Sequence, residues 1–278
     1  MFFFPLLSVT RHLSTYTFHT HMLSYAIHPH FLRPPRYFHQ HSYSFGDAFH
    51  HAFHPSSSHA HTNKFYKKAA KYWANVPATI DGVLGGYGHI SDIDIDGSKV
   101  FLNNILSLIN PPNRKLALDC GAGIGRVSRS LLIPYFLKVD LVEQDEKFIN
   151  TAKQLIGEHN NKLGTLYQIG LHHFKPQKQY DVIWCQWVLG HLSDYDLINF
   201  LERCSKSLAR NGVIVVKENI SSSEEKEYDE DDSSVTRPYS SMLNIFEEAN
   251  LCLIKSDIQT GFPDGLYPVH MFALAPLK

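Results

Sequence analysis

Residues Lys115 to Arg126, K-L-A-L-D-C-G-A-G-I-G-R, set a short apolar run directly before a glycine turn that closes on an arginine. Leu116, Ala117 and Leu118 read as a buried strand. Gly121, Gly123 and Gly125 let the backbone turn sharply and approach a ligand with no Cβ atoms between them, and a helix starts at about Gly125. The free N–H groups of a helix start favour an anion, here a carboxylate. Strand, glycine turn and helix in that order point to an α/β fold that holds a ligand at the carboxyl end of the strand.

The spacing G-x-G-x-G differs from the dinucleotide pattern G-x-G-x-x-G, so the loop alone fits any nucleotide-like site. The next apolar strand, Val139 to Val142, sharpens the reading by ending in Glu143. That acid stands close to the roughly twenty-residue distance at which a doubly wound sheet places a carboxylate on a ribose diol. A solvated strand end is the plainer alternative, but position after a buried strand favours the ribose role.

A chain of 278 residues, 44% hydrophobic and with a formal net charge of -1, holds one sizeable domain plus an appendage and has no overall basic field for nucleic acid. Cys120, Cys185, Cys204 and Cys252 form no C-x-x-C pair and fall in apolar elements, the usage expected of a reduced, intracellular protein. No segment is long and apolar enough to cross a bilayer as a helix. Composition shifts near residue 63. Twelve of the eighteen histidines precede that point, and the first acidic residue is Asp47. Pairs such as His50-His51 and the run Ser56 to His61 lack helical or strand periodicity, so residues 1–63 are expected to be a disordered His-rich extension of a domain spanning 64–278. Metal binding by these histidines ranks below that reading, because no ligand set recurs at closed-site spacing. Arg11, Arg33 and Arg36 in an acid-poor start suit an organelle transit peptide, and Phe2 to Leu7 lacks the basic flank of a secretory signal, which leaves targeting open.

Beyond the boundary, helices and strands alternate. Phe65, Ala69, Tyr72, Trp73 and Val76 recur at helical spacing up to Pro77. Gly82, Gly85, Gly86 and Gly88 make residues 81–90 a permissive loop, and Val100 to Ile109 reads as a short helix. Tyr180 to Trp184 is an apolar strand, Asp196 to Leu208 a helix, Asn211-Gly212 a turn and Val213 to Val216 a central strand. Tyr239 to Ala249 follows as a helix, and Leu251 to Ile254 with Val269 to Leu274 as a late strand pair. Three strand ends thus carry polar groups fit for one crevice: Glu143, Gln186 with His191, and Asn219. Ser221 to Asp232 sets seven acids against Lys226 alone, a composition typical of a solvated loop, although its place after an active-site strand also suits a cationic substrate.

The quoted pieces occur in a fixed order: Tyr72-Trp73, D-G-V-L-G-G-Y-G-H-I-S from Asp81, L-D-C-G-A-G-I-G-R from Leu118, Y-D-V-I-W-C-Q-W-V-L-G-H-L from Tyr180, N-G-V-I-V-V-K-E-N from Asn211 and D-S-S-V from Asp232. From about Lys64 onward the chain resembles the α-N-terminal protein methyltransferases that act on Xaa-Pro-Lys N-termini. The resemblance implies a Rossmann-like class I S-adenosylmethionine-dependent methyltransferase, α/β, with a mostly parallel sheet flanked by helices and an N-terminal helical addition. It assigns Gly121 and Arg126 to the methionine carboxylate end of S-adenosylmethionine, Glu143 to the ribose, Leu171 and His172 to the adenine surroundings, and Gln186 to the methionyl portion. A guanidinium at a helix start suits a carboxylate by charge-assisted pairing. The family pattern carries Asp and Gln where Glu143 and His172 stand here.

For the substrate, the resemblance places Trp73, Leu84, Ile90 and Trp187 around the N-terminal residues, where apolar and aromatic walls accept a proline ring. Asn219 holds peptide polar groups, Asp229 and Ser234 meet the lysine ammonium, and Tyr267 is a substrate-side tyrosine. Attack on a sulfonium methyl needs a neutral amine, and Asp232 and His191 are the groups expected to accept or relay its proton. No metal is required. Two departures concern register: Pro268 removes a backbone donor at the start of the late strand, and Arg237-Pro238 suits a helix start. The expected partners are protein substrates with Xaa-Pro-Lys N-termini, with no direct nucleic acid and no membrane, for a monomer or weak dimer of the cytoplasm and nucleus. Two other readings stay open: a methyltransferase for a small amine or another protein site, and a cofactor-binding adapter without turnover.

Overall fold

The computed structural model describes residues 56–277, so the expectations for residues 1–55 lie outside the described residues. Five parallel strands form the centre of the sheet: β1 (Leu116–Cys120), β2 (Lys138–Glu143), β3 (Leu163–Gln168), β4 (Tyr180–Gln186) and β5 (Leu208–Ser221), in the spatial order β3-β2-β1-β4-β5. β6 (Glu227–Asp229) and β7 (Ser234–Pro238) form a hairpin whose second strand pairs with the far end of β5. β8 (Leu251–Ile258) and β9 (Val269–Pro276) are antiparallel to each other, and β9 runs antiparallel along β5 from Ile214–Leu274 to Asn219–Val269. Strand order reverses between β1 and β4, so their carboxyl ends open a crevice at the switch point.

Period-two alternation divides the core into two layers. Leu118, Cys120, Ile183 and Cys185 point to one face, under α4 (Asp194–Lys206) and α5 (Tyr239–Glu248). Ala117, Val182 and Trp184 point to the other, against α3 (Ser91–Leu106) and the helical turns after the glycine loop. Because both faces are covered, β4 is buried at every position, and its Val182 to Cys185 stretch reads as an unbroken apolar run. The N-terminal helix α1 (Ser56–Asn75) lies across the switch-point end, with Trp73 packed among Val83, Ile124 and Phe148.

Several boundaries differ from expectation. α1 begins at Ser56, inside the segment that composition assigns to the extension, because adding turns to a docked helix costs far less than nucleating one. α3 starts at Ser91 rather than Val100: Asp92 and Asp94 occupy its first turn, where carboxylates are favoured, and Ile95, Phe101, Leu102 and Ile105 line its buried face. The glycine segment 81–90 is not one loop. It contains α2 (Ile80–Val83), capped by Thr79 Oγ1 at 3.0 Å from Gly82 N, and a 3-10 turn, Gly88–Ile90. Asn211-Gly212 forms a bulge inside a single long β5, with Asn211 at φ 62, rather than a turn before it. The acidic segment includes β6, so it is partly a hairpin and not a free loop. β3 is a further strand beyond those expected, and its half-exposed residues carry no strand period. Pro268 does not break the sheet: its carbonyl accepts from Ile220 N at 2.9 Å just before β9 begins.

Candidate active site

The glycine loop is held by its own strand neighbours. Gly121 N and Ala122 N donate to Val142 O at 2.9 and 3.0 Å, and Gly123 N donates to Glu143 Oε2 at 2.9 Å. A Cβ at Gly121 would stand 2.4 Å from Val188 Cγ2, so only glycine fits against the turn after β4. A Cβ at Gly123, whose φ is +55, would meet nothing closer than Val83 Cγ1 at 3.9 Å, which leaves its backbone open toward the crevice. The cavity within that crevice measures about 80 Å³ and is walled by Gly121, Gly123, Glu143, Phe148 and Leu171.

Of the residues expected at the cofactor, Gly121, Glu143, Leu171 and His172 line this crevice. Glu143 Oε1 also accepts from Asp145 N at 2.9 Å, and burial raises its carboxyl above the ordinary range. His172 stacks on Tyr66 of α1, ring centroids 3.9 Å apart and 3° from parallel, and burial lowers its imidazole. Arg126 and Gln186 meet one another's partner instead. Arg126 Nη1 lies 2.7 Å from Asp94 Oδ2, and Gln186 Nε2 donates to both oxygens of Asp94 at 2.8 and 2.9 Å. The Arg126 guanidinium also sits 5.8 Å over the Trp187 ring.

On the peptide side, Leu84, Ile90 and Trp187 gather with Val269 in one apolar cluster flanked by Tyr87, Phe262 and Leu266. Trp187 occupies the left-handed region at φ 52, strain that a bulky residue holds only where its surroundings impose it. Its Nε1 donates to Asn219 Oδ1 at 3.2 Å. Trp73 approaches from α1 and donates from Nε1 to His191 Nε2 at 3.1 Å. An indole N–H can only donate, so Nε2 accepts and the proton of the neutral ring lies on Nδ1, which faces Ser233 O at 3.2 Å. Burial holds His191 well below its ordinary value, in accord with that tautomer. Ser233, at φ 56, turns its carbonyl toward His191 next to Asp232.

Asp232 and Asn219 are both buried, and among the described residues neither carboxylate oxygen of Asp232 nor Asn219 Nδ2 has a hydrogen-bond partner. Orphaned buried polar groups cost free energy unless a ligand completes them. Burial raises the Asp232 carboxyl above the ordinary range. The Tyr72 hydroxyl is pushed up to about 12, first by burial and then by the charges of Asp232, Asp229 and Asp231, which puts α1 beside the acidic hairpin. Asp229 stands opposite Ser234 in the β6–β7 register, and its Oδ1 accepts from Asp231 N at 2.7 Å. Tyr267 Oη donates to Glu227 Oε2 at 2.5 Å and so ties the segment before β9 to β6.

Sequence reasoning missed the residues that hold these groups in place. Glu218 Oε1 accepts from Val188 N and Leu189 N at 2.9 Å each, fixing the turn that carries Trp187 and His191, and burial pushes this carboxyl up to about 7. Arg237 clamps the same turn to β7 through Leu189 O at 3.1 Å and Leu192 O at 2.6 Å. Lys217 Nζ, fully buried, lies 2.6 Å from Asp94 Oδ1. A polar triplet directly after a β-branched run, Lys217-Glu218-Asn219, is the available signal for two of them.

The open backbone at Gly123 and the acid closing β2 line a crevice at the switch point of the sheet, where this architecture takes a nucleotide-like cofactor such as S-adenosylmethionine. Comparisons with known proteins agree. Residues 61–275 match the family described as AdoMet-dependent proline di-methyltransferase. The chain is 49% identical over 219 residues to an alpha N-terminal protein methyltransferase 1 of Drosophila melanogaster, covering 78% of each chain. It is 47% identical over 214 residues to an N-terminal Xaa-Pro-Lys N-methyltransferase 1 of Xenopus tropicalis, covering 76% of this chain and 95% of the relative. A SAM-dependent methyltransferase structure from Leishmania major superposes with a TM-score of 0.71 at 36% identity, over 76% of this chain and 82% of that one. This chain is therefore a member of the AdoMet-dependent proline di-methyltransferase family.

Proposed function

We propose that the protein methylates the α-amino group of proteins that expose an Xaa-Pro-Lys N-terminus. The observation that carries this reading is that, among the described residues, two buried polar groups lack hydrogen-bond partners: the Asp232 carboxylate, next to the Ser233 carbonyl that faces His191, and the amide nitrogen of Asn219, whose Oδ1 accepts from Trp187. An acceptor and a donor left incomplete there match a peptide N-terminus, which offers an amine to the one and carbonyl oxygens to the other. When bound, S-adenosylmethionine supplies a methyl group already activated by its sulfonium.

The residues must then present a neutral amine. An α-amino group titrates near 8, so it arrives largely protonated at neutral pH. In this reading Asp232 takes the proton, helped by burial that makes its carboxylate more basic than an exposed one. His191 faces the same space, and its Nε2 becomes available to the amine only by exchanging the bond from Trp73. Leu84, Ile90, Trp73 and Trp187 wall the proline ring. Asp229 and Ser234, opposite each other on the hairpin, meet the lysine ammonium, and Tyr267 closes that side through Glu227.

Methyl transfer to a synthetic Xaa-Pro-Lys peptide, compared with the same peptide acetylated at its N-terminus, tests the reading. Turnover of the free peptide with none of the acetylated one is expected. Equal turnover of both would place the chemistry elsewhere.

A further inference from the structure

Asp94 joins elements that are distant in sequence. Its carboxylate, fully buried in the first turn of α3, takes Arg126 on Oδ2 and Lys217 on Oδ1, with Gln186 across both. Lys217 donates further to Ser98 Oγ at 2.9 Å and Gln259 Oε1 at 2.7 Å. Gln259 reaches this point because Gly97 has no side chain: a Cβ there would stand 2.1 Å from Gln259 Oε1. Asp119, the acid at the end of β1, turns to Ser128 Oγ at 2.6 Å and makes no ion pair with either cation among the described residues.

Two cations therefore share one carboxylate, which leaves the ion-paired cluster one positive charge in excess. Buried charge is costly unless compensated. Within the described residues Arg126 uses only Nη1, toward Asp94 and Ser91, so its Nε and Nη2 donors remain for a ligand. Arg126 lies just after the glycine loop and 5.8 Å over the ring of Trp187, and Gln186 ends β4; Gly121, Gly123 and Trp187, their neighbours in the chain, line the crevice.

Resting on the assignment of Arg126 to the methionine carboxylate of the methyl donor, we propose that Asp94 and Lys217 are opposed positioning residues for that contact. Asp94 fixes one edge of the guanidinium so that the other edge faces the ligand. Lys217 satisfies the charge of Asp94, so that the charge of Arg126 is left for the ligand carboxylate. Removing Lys217 lets Asp94 and Arg126 neutralise each other, whereas removing the charge of Asp94 releases Arg126 fully. The two changes thus act in opposite directions on carboxylate binding, which loss of packing would not do.

Calorimetric binding of two compounds tests this: S-adenosylhomocysteine, and methylthioadenosine, which keeps the adenosine and sulfur but lacks the amino acid carboxylate. The parent protein is expected to prefer S-adenosylhomocysteine. Lys217→Met should reduce that preference by about tenfold or more, with methylthioadenosine binding unchanged as the sign of an intact crevice. Asp94→Asn should increase the preference. If Lys217→Met loses methylthioadenosine as well, Asp94→Asn decides alone, a rise supporting the inference and a fall overturning it. An unchanged preference in Lys217→Met with intact methylthioadenosine binding, or a fall in both variants, would overturn it. A parent that binds both compounds equally would remove the Arg126 assignment itself, and this inference with it.

Discussion

At the scale of single residues, the site rests on a division between groups that lack partners and groups that have them. Among the described residues Asp232 has none for either oxygen, while His191 is bonded through both ring nitrogens to Trp73 and Ser233. Asp232→Asn is accordingly expected to lower kcat by about a hundredfold or more while leaving S-adenosylhomocysteine affinity in place. Asp229→Asn should instead raise KM for Xaa-Pro-Lys peptides and shrink the penalty for glutamine at their third position, because it removes a charge partner remote from the reacting nitrogen. Steady-state kinetics on both variants, with Lys and Gln peptides, separates the roles, and identical behaviour would refute the division. Asp232 and Asn219 could be named from sequence because each sits in a quoted string. Asp94 could not. Its partners Arg126, Gln186 and Lys217 lie 32, 92 and 123 residues away, and nothing local in an acid at a helix start announces a buried ion pair.

At the scale of elements, α1 matters most, because it brings Tyr66, Tyr72 and Trp73 over a crevice built by the sheet. A chain beginning at Ser56 should keep kcat/KM for peptides within about twofold of the full-length protein, since the apolar contacts that dock the helix begin downstream of that point. Activity assays on the shortened, folded chain check this. A loss of tenfold or more would show that residues 1–55 contribute to turnover. The central strands were readable because burial on both faces writes them as continuous apolar runs. α3 and β3 were not: the first turns of α3 are acidic and glycine-bearing, and β3 is half-exposed without alternation. The hairpin Glu227–Pro238 was hidden for another reason. Its acids look solvated in sequence, and only pairing with β5 and the bond from Tyr267 to Glu227 fold it over the site.

Across the whole molecule, fixing the site leaves buried acids that favour their neutral form. Glu218 is raised by burial to about 7 against an ordinary 4.5, despite two backbone N–H bonds that favour its charge. The folded state therefore binds this proton more tightly than the unfolded one. Its contribution to stability is fully present below about pH 4.5 and is lost as pH rises through about 7, on the order of 3 kcal/mol in total. Glu218→Gln keeps an acceptor for Val188 and Leu189 without this titration. The Tm of the variant minus that of the parent should rise between about pH 5 and pH 8, and a difference independent of pH would contradict the assignment. The central claim, that this crevice presents an N-terminal amine to the methyl donor, meets its most direct test in tandem mass spectrometry of an Xaa-Pro-Lys peptide after incubation with the protein and S-adenosylmethionine. Added methyl groups confined to the fragment that holds the α-amine are predicted. Methyl groups on the lysine side chain, with the α-amine unmodified, would contradict it.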